Sequence, residues 1–174
     1  MDDLLETLLY VPAVVAGIGF LVLGWPLFRN PASRAVSHTA RDLSLACAFA
    51  LIVVMTLLTP TPMGSGLEPE LRLVPFQDLR DALDGTRSLG LAVAEIGGNV
   101  ALFVPLGIAM RWRFPWLGVL AIGLATLALS GAIEVLQALT GGGRWPDTTD
   151  VITNTVGGLI GAVLGGFGAV AERR

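Results

Sequence analysis

Apolar residues in this chain gather into five long runs separated by polar stretches: Leu8–Phe28, Leu43–Leu58, Leu89–Met110, Trp116–Leu139 and Val151–Val170. Each is long enough, or nearly so, to cross about 30 Å of hydrocarbon at about 1.5 Å of rise per helical residue. The second is the shortest and stops at Thr59-Pro60-Thr61-Pro62, since proline brings no amide proton and disfavours helix in the residue before it. The chain opens with "MDDLLET", which is acidic and lacks the positive region of a secretory leader, so the first run is expected to persist as a helix. The segment 59–88 is too long for a plain connection. Within it Phe76, Leu79 and Leu83 recur at near-helical spacing with Asp78, Arg80, Asp81 and Asp84 between them, the pattern of a short helix lying in a membrane interface. The expected fold is an all-α membrane protein. It is a bundle of five transmembrane helices with a short amphipathic interfacial helix between spans two and three, forming a single domain over residues 1–174.

Composition agrees. Hydrophobic residues make up 53% of the 174 and charged residues only 14%, against about a quarter in a soluble domain, too few to cover a water-exposed surface. The net charge of −3 offers no basic face for a nucleic acid, so that class of partner is excluded. The single Cys47 lies in an apolar run and cannot form an intrachain disulfide; packing is its expected role. All eleven basic residues are arginine, and seven of them (Arg29, Arg34, Arg41, Arg111, Arg113, Arg173, Arg174) fall in segments that five spans place on one side. The other side holds four arginines and ten carboxylates. The positive-inside rule then puts the amino terminus outside and the carboxy terminus in the cytoplasm of a multi-pass cell-membrane protein. Trp112, Trp116 and Trp145 fall at span ends, where interfacial anchoring is expected.

A few costly groups break the apolar runs. Glu95 and Asn99 lie four residues apart on the third span, hence on one helix face. Ser130, Glu134 and Gln137 form a stripe near the outer end of the fourth, and Asp150 and Asn154 begin the fifth. With these boundaries Glu95, Glu134 and Asn154 sit at a common depth, roughly 6–10 Å below the outer interface. Together with Arg144 and Asp147 from the preceding loop they are expected to form one polar pocket open to the outside. Its expected ligand-binding residues are Glu95, Asn99, Glu134, Gln137, Arg144, Asp147, Asp150 and Asn154. Buried carboxylates need partners, and Arg144 and the amides can supply them. The bland alternative is a satisfied network that glues helices together, and it is the preferred reading for Asn99 or Gln137 taken singly. Towards the inner side the stripes continue as Leu102 and Leu106, and as Gly157, Gly158, Gly161 and Gly165. A proton or ion path would need relays there, so the pocket has a floor, and the glycines read as close-packing positions.

Three blocks, "NVALFVPLG" (99–107), "SGAIEVLQ" (130–137) and "RWPDTTDVITNTVGG" (144–158), with "LVPF" (73–76) upstream, resemble the signature of VanZ-like membrane proteins over residues 73–166. Each block alone is weak; the order and spacing of the set make it specific. The resemblance implies a small multi-span bacterial protein of the cell envelope, in a family whose founding member is associated with resistance to teicoplanin, a lipid-tailed glycopeptide antibiotic. It places the family's recurring polar positions on Asn99, Glu134, Gln137, Arg144, Asp147, Asp150 and Asn154; Glu95 comes from the residue reading alone. Many relatives carry an adjacent acidic pair before the last span, where this chain has Thr149-Asp150, and an aromatic residue where it has Pro146.

Three functions are open at this level. The first is a binding site for an amphiphile or envelope-lipid head group, with membrane lipids and lipid-tailed ligands as partners. The second is an enzyme acting on a lipid head group, with Glu134, Asp147 and Asp150 as candidate catalytic groups. In that case a buried Glu134 would serve as acid or base, and Asp147 and Asp150 would be candidate ligands of a divalent cation. No nucleophile stands out in support of it. The third is a structural partner of another membrane protein.

Overall fold

The structure is a computed structural model that describes residues 34–58, 72–140 and 146–171. Five α-helices account for most of these residues: α1 (Arg34–Val53), α2 (Gln77–Leu83), α3 (Leu89–Arg113), α4 (Val119–Thr140) and α5 (Thr148–Ala171). Four segments, His38–Leu57, Leu89–Arg113, Val119–Thr140 and Thr148–Phe167, are long and apolar enough to cross a membrane. The protein is a multi-pass, all-helical membrane protein. These four match the second to fifth apolar runs, and the first, Leu8–Phe28, lies outside the described residues. The short amphipathic helix falls where its leucine spacing places it, as α2.

Helix α3 is the centre of the bundle: it packs most extensively on α5, then on α1, and also touches α2 and α4, while α5 packs on α4 as well. Ala48 and Ile52 of α1, Leu102, Phe103 and Leu106 of α3 and Ile133 of α4 form the apolar core. The α3–α5 contact is backbone against backbone. A Cβ atom at Gly157 would stand 2.3 Å from the Val100 carbonyl oxygen, and one at Gly161 2.1 Å from that of Val104. A Cβ at Gly107 would meet the Gly158 oxygen at 2.2 Å from the other side. Gly158 itself faces Thr126 of α4. The small residues of the fifth run are therefore required wherever α5 passes between α3 and α4, the arrangement expected of helices that associate by close van der Waals contact in lipid.

Two details follow from local chemistry. Helix α1 ends in a π-helical turn, Val54–Leu58. In an α-helical continuation the Thr56 carbonyl would accept the amide of residue 60, which is proline and has none; Gln137 Nε2 donates to that carbonyl instead, at 2.9 Å. At the other end of the bundle Asp42 of α1 pairs with Arg113 of α3. That contact sets two of the arginine-bearing segments, the start of α1 and the α3–α4 turn, at the same end.

Two expectations are corrected. Cys47 is exposed, because α1 packs through Ser44, Ala48 and Ile52, all buried, and residue 47 points away from that face. Trp112 is 8% exposed and belongs to the buried surface; α3 continues to Arg113, so residue 112 lies in its last turn and faces inward. Trp116, in the turn, is 72% exposed, as an interfacial anchor would be, and Trp145 lies outside the described residues.

Candidate functional site

The site is built where α3, α4 and α5 meet beneath α2. Helix α5 begins at Thr148 with Asp147 as its cap: Asp147 Oδ1 accepts the Thr149 amide at 2.6 Å, satisfying one of the orphan donors of the first turn. The Asp147 amide donates to Glu134 Oε2 at 2.9 Å. One turn along α5, Asp150 Oδ1 accepts Asn99 Nδ2 from α3 at 2.5 Å. A further turn along, Asn154 Nδ2 donates to Ser130 Oγ of α4 at 2.9 Å. Three helices thus contribute to a series of separate polar contacts along the start of α5, and Glu134 (7%), Ser130 (0%) and Asn154 (3%) are buried. Asn154 Oδ1 is buried with no hydrogen-bond partner among the described residues.

The segment before α2 is stitched onto this end. Arg72 forms an isolated parallel bridge with Asp147: its amide donates to the Pro146 carbonyl and its carbonyl accepts the Thr148 amide, both at 3.1 Å. Phe76 adopts a left-handed conformation, φ 58° and ψ 30°, uncommon for a bulky residue, and its amide donates to Thr149 Oγ1 at 2.9 Å. The "LVPF" and "RWPDTTD" blocks, about seventy residues apart in sequence, are adjacent in space for this reason. Thr149 serves as the acceptor that holds Phe76.

Four charges lie across this segment. Arg72 Nη1 bonds Asp78 Oδ2 at 2.5 Å, Arg87 pairs with the same oxygen, and Arg87 Nη2 reaches Glu95 Oε1 at 2.7 Å. Burial by itself would lower the Arg87 pKa, but hydrogen bonds and attraction from Asp78 and Glu95 outweigh it and raise it above the ordinary arginine value. Beneath α2 lies a cavity of about 20 Å³ lined by Phe76, Asp78, Leu79, Ala92, Glu95, Ile96, Asp147, Thr149 and Asp150. It has room for one water-sized group.

The sequence-derived residues are thus distributed in three ways. Asn99, Glu134, Asp147, Asp150 and Asn154 come together on α3, α4 and α5. Glu95 lines the small cavity with Asp147 and Asp150 but is bonded outward to Arg87, and Gln137 turns away to Thr56 at the end of α1. Arg144 lies outside the described residues. A wide cup open to the outside is not seen among the described residues, because residues 72–84 lie over it. Asp147 and Asp150 are each bound to a separate partner, and no group of three or more His, Cys, Asp or Glu that could hold a metal ion occurs among the described residues. The sequence reading missed Arg72, Arg87 and Thr149. The available signal was Arg72 directly preceding "LVPF", a charged residue beside a motif already singled out.

A polytopic helical membrane protein with a capped polar site at one end of its bundle is the class these features define. The chain belongs to the VanZ/LLP1 family, whose model matches residues 44–167. It is 40% identical over 73 residues to Protein VanZ of Enterococcus faecium, a match covering 42% of this chain and 45% of that protein. The chain therefore matches less than half the length of that relative. No solved structure matches it.

Proposed function

We propose that the protein binds the polar head of an envelope amphiphile, a membrane lipid or the lipid-tailed part of a glycopeptide, at the α2-capped end of the bundle, and that this end faces outside. The observation that carries the reading is Glu134. It is a carboxylate nearly removed from solvent on a membrane helix, held by the amide of Asp147, the residue that caps α5, one turn along α4 from the buried contact of Ser130 with Asn154. Burying such a group is costly, and a bundle needing only adhesion has cheaper means in the glycines of α5. Family membership and the likeness to Protein VanZ support a link to teicoplanin resistance. On this reading residues 72–84 move aside to admit the head group, since about 20 Å³ holds no more than a water-sized fragment.

The test is expression in a teicoplanin-susceptible bacterium. Wild type is expected to raise the inhibitory concentration, and Glu134→Ala, at matched membrane abundance, to abolish the gain. Absence of protection by wild type, or equal protection by the variant, refutes the reading. Orientation is tested separately with Leu73→Cys in a Cys47→Ser background: a membrane-impermeant maleimide should label it in intact cells. Labelling only after the membrane is opened would reverse the topology.

A further inference from the structure

Arg72 and Arg87 lie on either side of α2 in sequence, yet both guanidinium groups bond a single atom, Asp78 Oδ2. Like charges converge in this way only around an anion. The contacts are half-buried, with side-chain exposures of 33% and 26% for the arginines and 20% for Asp78, so solvent screens them less than it would at an open surface. The planar guanidinium fork fits phosphate oxygens as well as it fits a carboxylate. Around the pair, Leu73, Val74, Leu83 and Leu89 are all exposed, an apolar rim suited to acyl chains rather than to water.

We infer that Arg72 and Arg87 form a binding site for the phosphate of a membrane lipid, and that Asp78 holds this site as a tethered anion which the lipid phosphate displaces. This deepens the amphiphile reading above by naming the head-group chemistry, and rests on it. The event is an exchange rather than an addition. Glu95 stays paired with Arg87, and with Asp147 and Asp150 lining the same cavity a second anion is admitted only as Asp78 leaves. Asp78 stands in the first turn of α2, so its departure moves the segment that covers Asp147, Thr149 and Asp150. Phosphate binding and uncovering of the polar site are one motion.

The test is titration of the full chain in a phosphate-free detergent, read by native mass spectrometry, with three probes: dioleoylphosphatidic acid, dioleoylglycerol and inorganic phosphate. Phosphatidic acid is expected to bind more tightly than dioleoylglycerol. Arg72→Gln and Arg87→Gln should each weaken phosphatidic acid about tenfold, the scale of one lost charge-assisted contact, leaving dioleoylglycerol unchanged. Asp78→Asn, which keeps shape but removes the competing charge, should strengthen phosphatidic acid binding. Unchanged affinity in either arginine variant overturns the proposal even if Asp78→Asn folds poorly, and so does weaker or equal binding by a folded Asp78→Asn. Inorganic phosphate competing as well as the lipid overturns the lipid assignment. Equal binding of the two lipids, with teicoplanin protection still dependent on Glu134, overturns the phosphate site and leaves the amphiphile reading standing. Loss of that protection from the wild-type protein sinks the amphiphile reading instead.

Discussion

Replacing Gly161 by alanine tests the axis on which the site is hung. The added methyl would sit 2.1 Å from the Val104 carbonyl oxygen and 2.9 Å from both Gly107 Cα and Ile108 N. All three are backbone atoms of α3 and cannot rotate away. A carbon–oxygen contact relaxes at about 3.3 Å, so α5 must retreat from α3 by roughly 1 Å at this point. Overpacking of this kind costs about 1–3 kcal/mol, while exchanging glycine for alanine in a helix returns up to about 1 kcal/mol. Because the clash is with backbone that cannot move aside, the upper part of that range applies, and after the full return a net loss of up to about 2 kcal/mol is expected. Gly97 on the same α3 supplies the control. A Cβ there meets nothing within 4 Å, so Gly97→Ala should be neutral or stabilising by up to about 1 kcal/mol. Reversible denaturation of the full chain in mixed micelles, followed by helical circular dichroism, measures both. If Gly161→Ala is as stable as Gly97→Ala, the close α3–α5 approach is wrong, and the Asn99–Asp150 contact that depends on it loses its basis.

Other substitutions separate gluing from binding. Gln137→Leu leaves the Thr56 carbonyl without its donor and should cost about 1–3 kcal/mol by the same denaturation assay, yet retain protection against teicoplanin, since Gln137 faces α1. Asn99→Leu removes the donor to Asp150 and should cost stability on the same scale while also reducing protection; full protection in a stably inserted variant would remove Asn99 from the site. Thr149→Val deletes the acceptor that holds the Phe76 amide, and faster amide hydrogen exchange at Phe76 is the expected readout. Unchanged exchange there would mean that the hydroxyl does not restrain the segment. Phe76→Gly relieves the left-handed backbone and should cost less than the usual loss of an aromatic side chain; a full loss in thermal stability would show that the ring's packing outweighs the strain.

Much of this protein is legible in its sequence, and the reason is the solvent. Hydrocarbon gives unpaired backbone groups no partner, so apolar length alone dictates helices, and α3, α4 and α5 begin and end within a few residues of their apolar runs. The same reasoning locates the site: a carboxylate or amide inside such a run has to meet others of its kind, and Asn99, Glu134, Asp150 and Asn154 do so. Periodicity could not decide partners. Nothing in the order of residues tells that Gln137 turns to the Thr56 carbonyl at the end of α1, or that Glu95 is drawn out to Arg87, because both choices depend on which helix lies next to which. The covering of the polar end by residues 72–84 depends likewise on a parallel backbone pairing between segments remote in sequence. Local pattern determines which groups must be hidden; only packing determines what hides them.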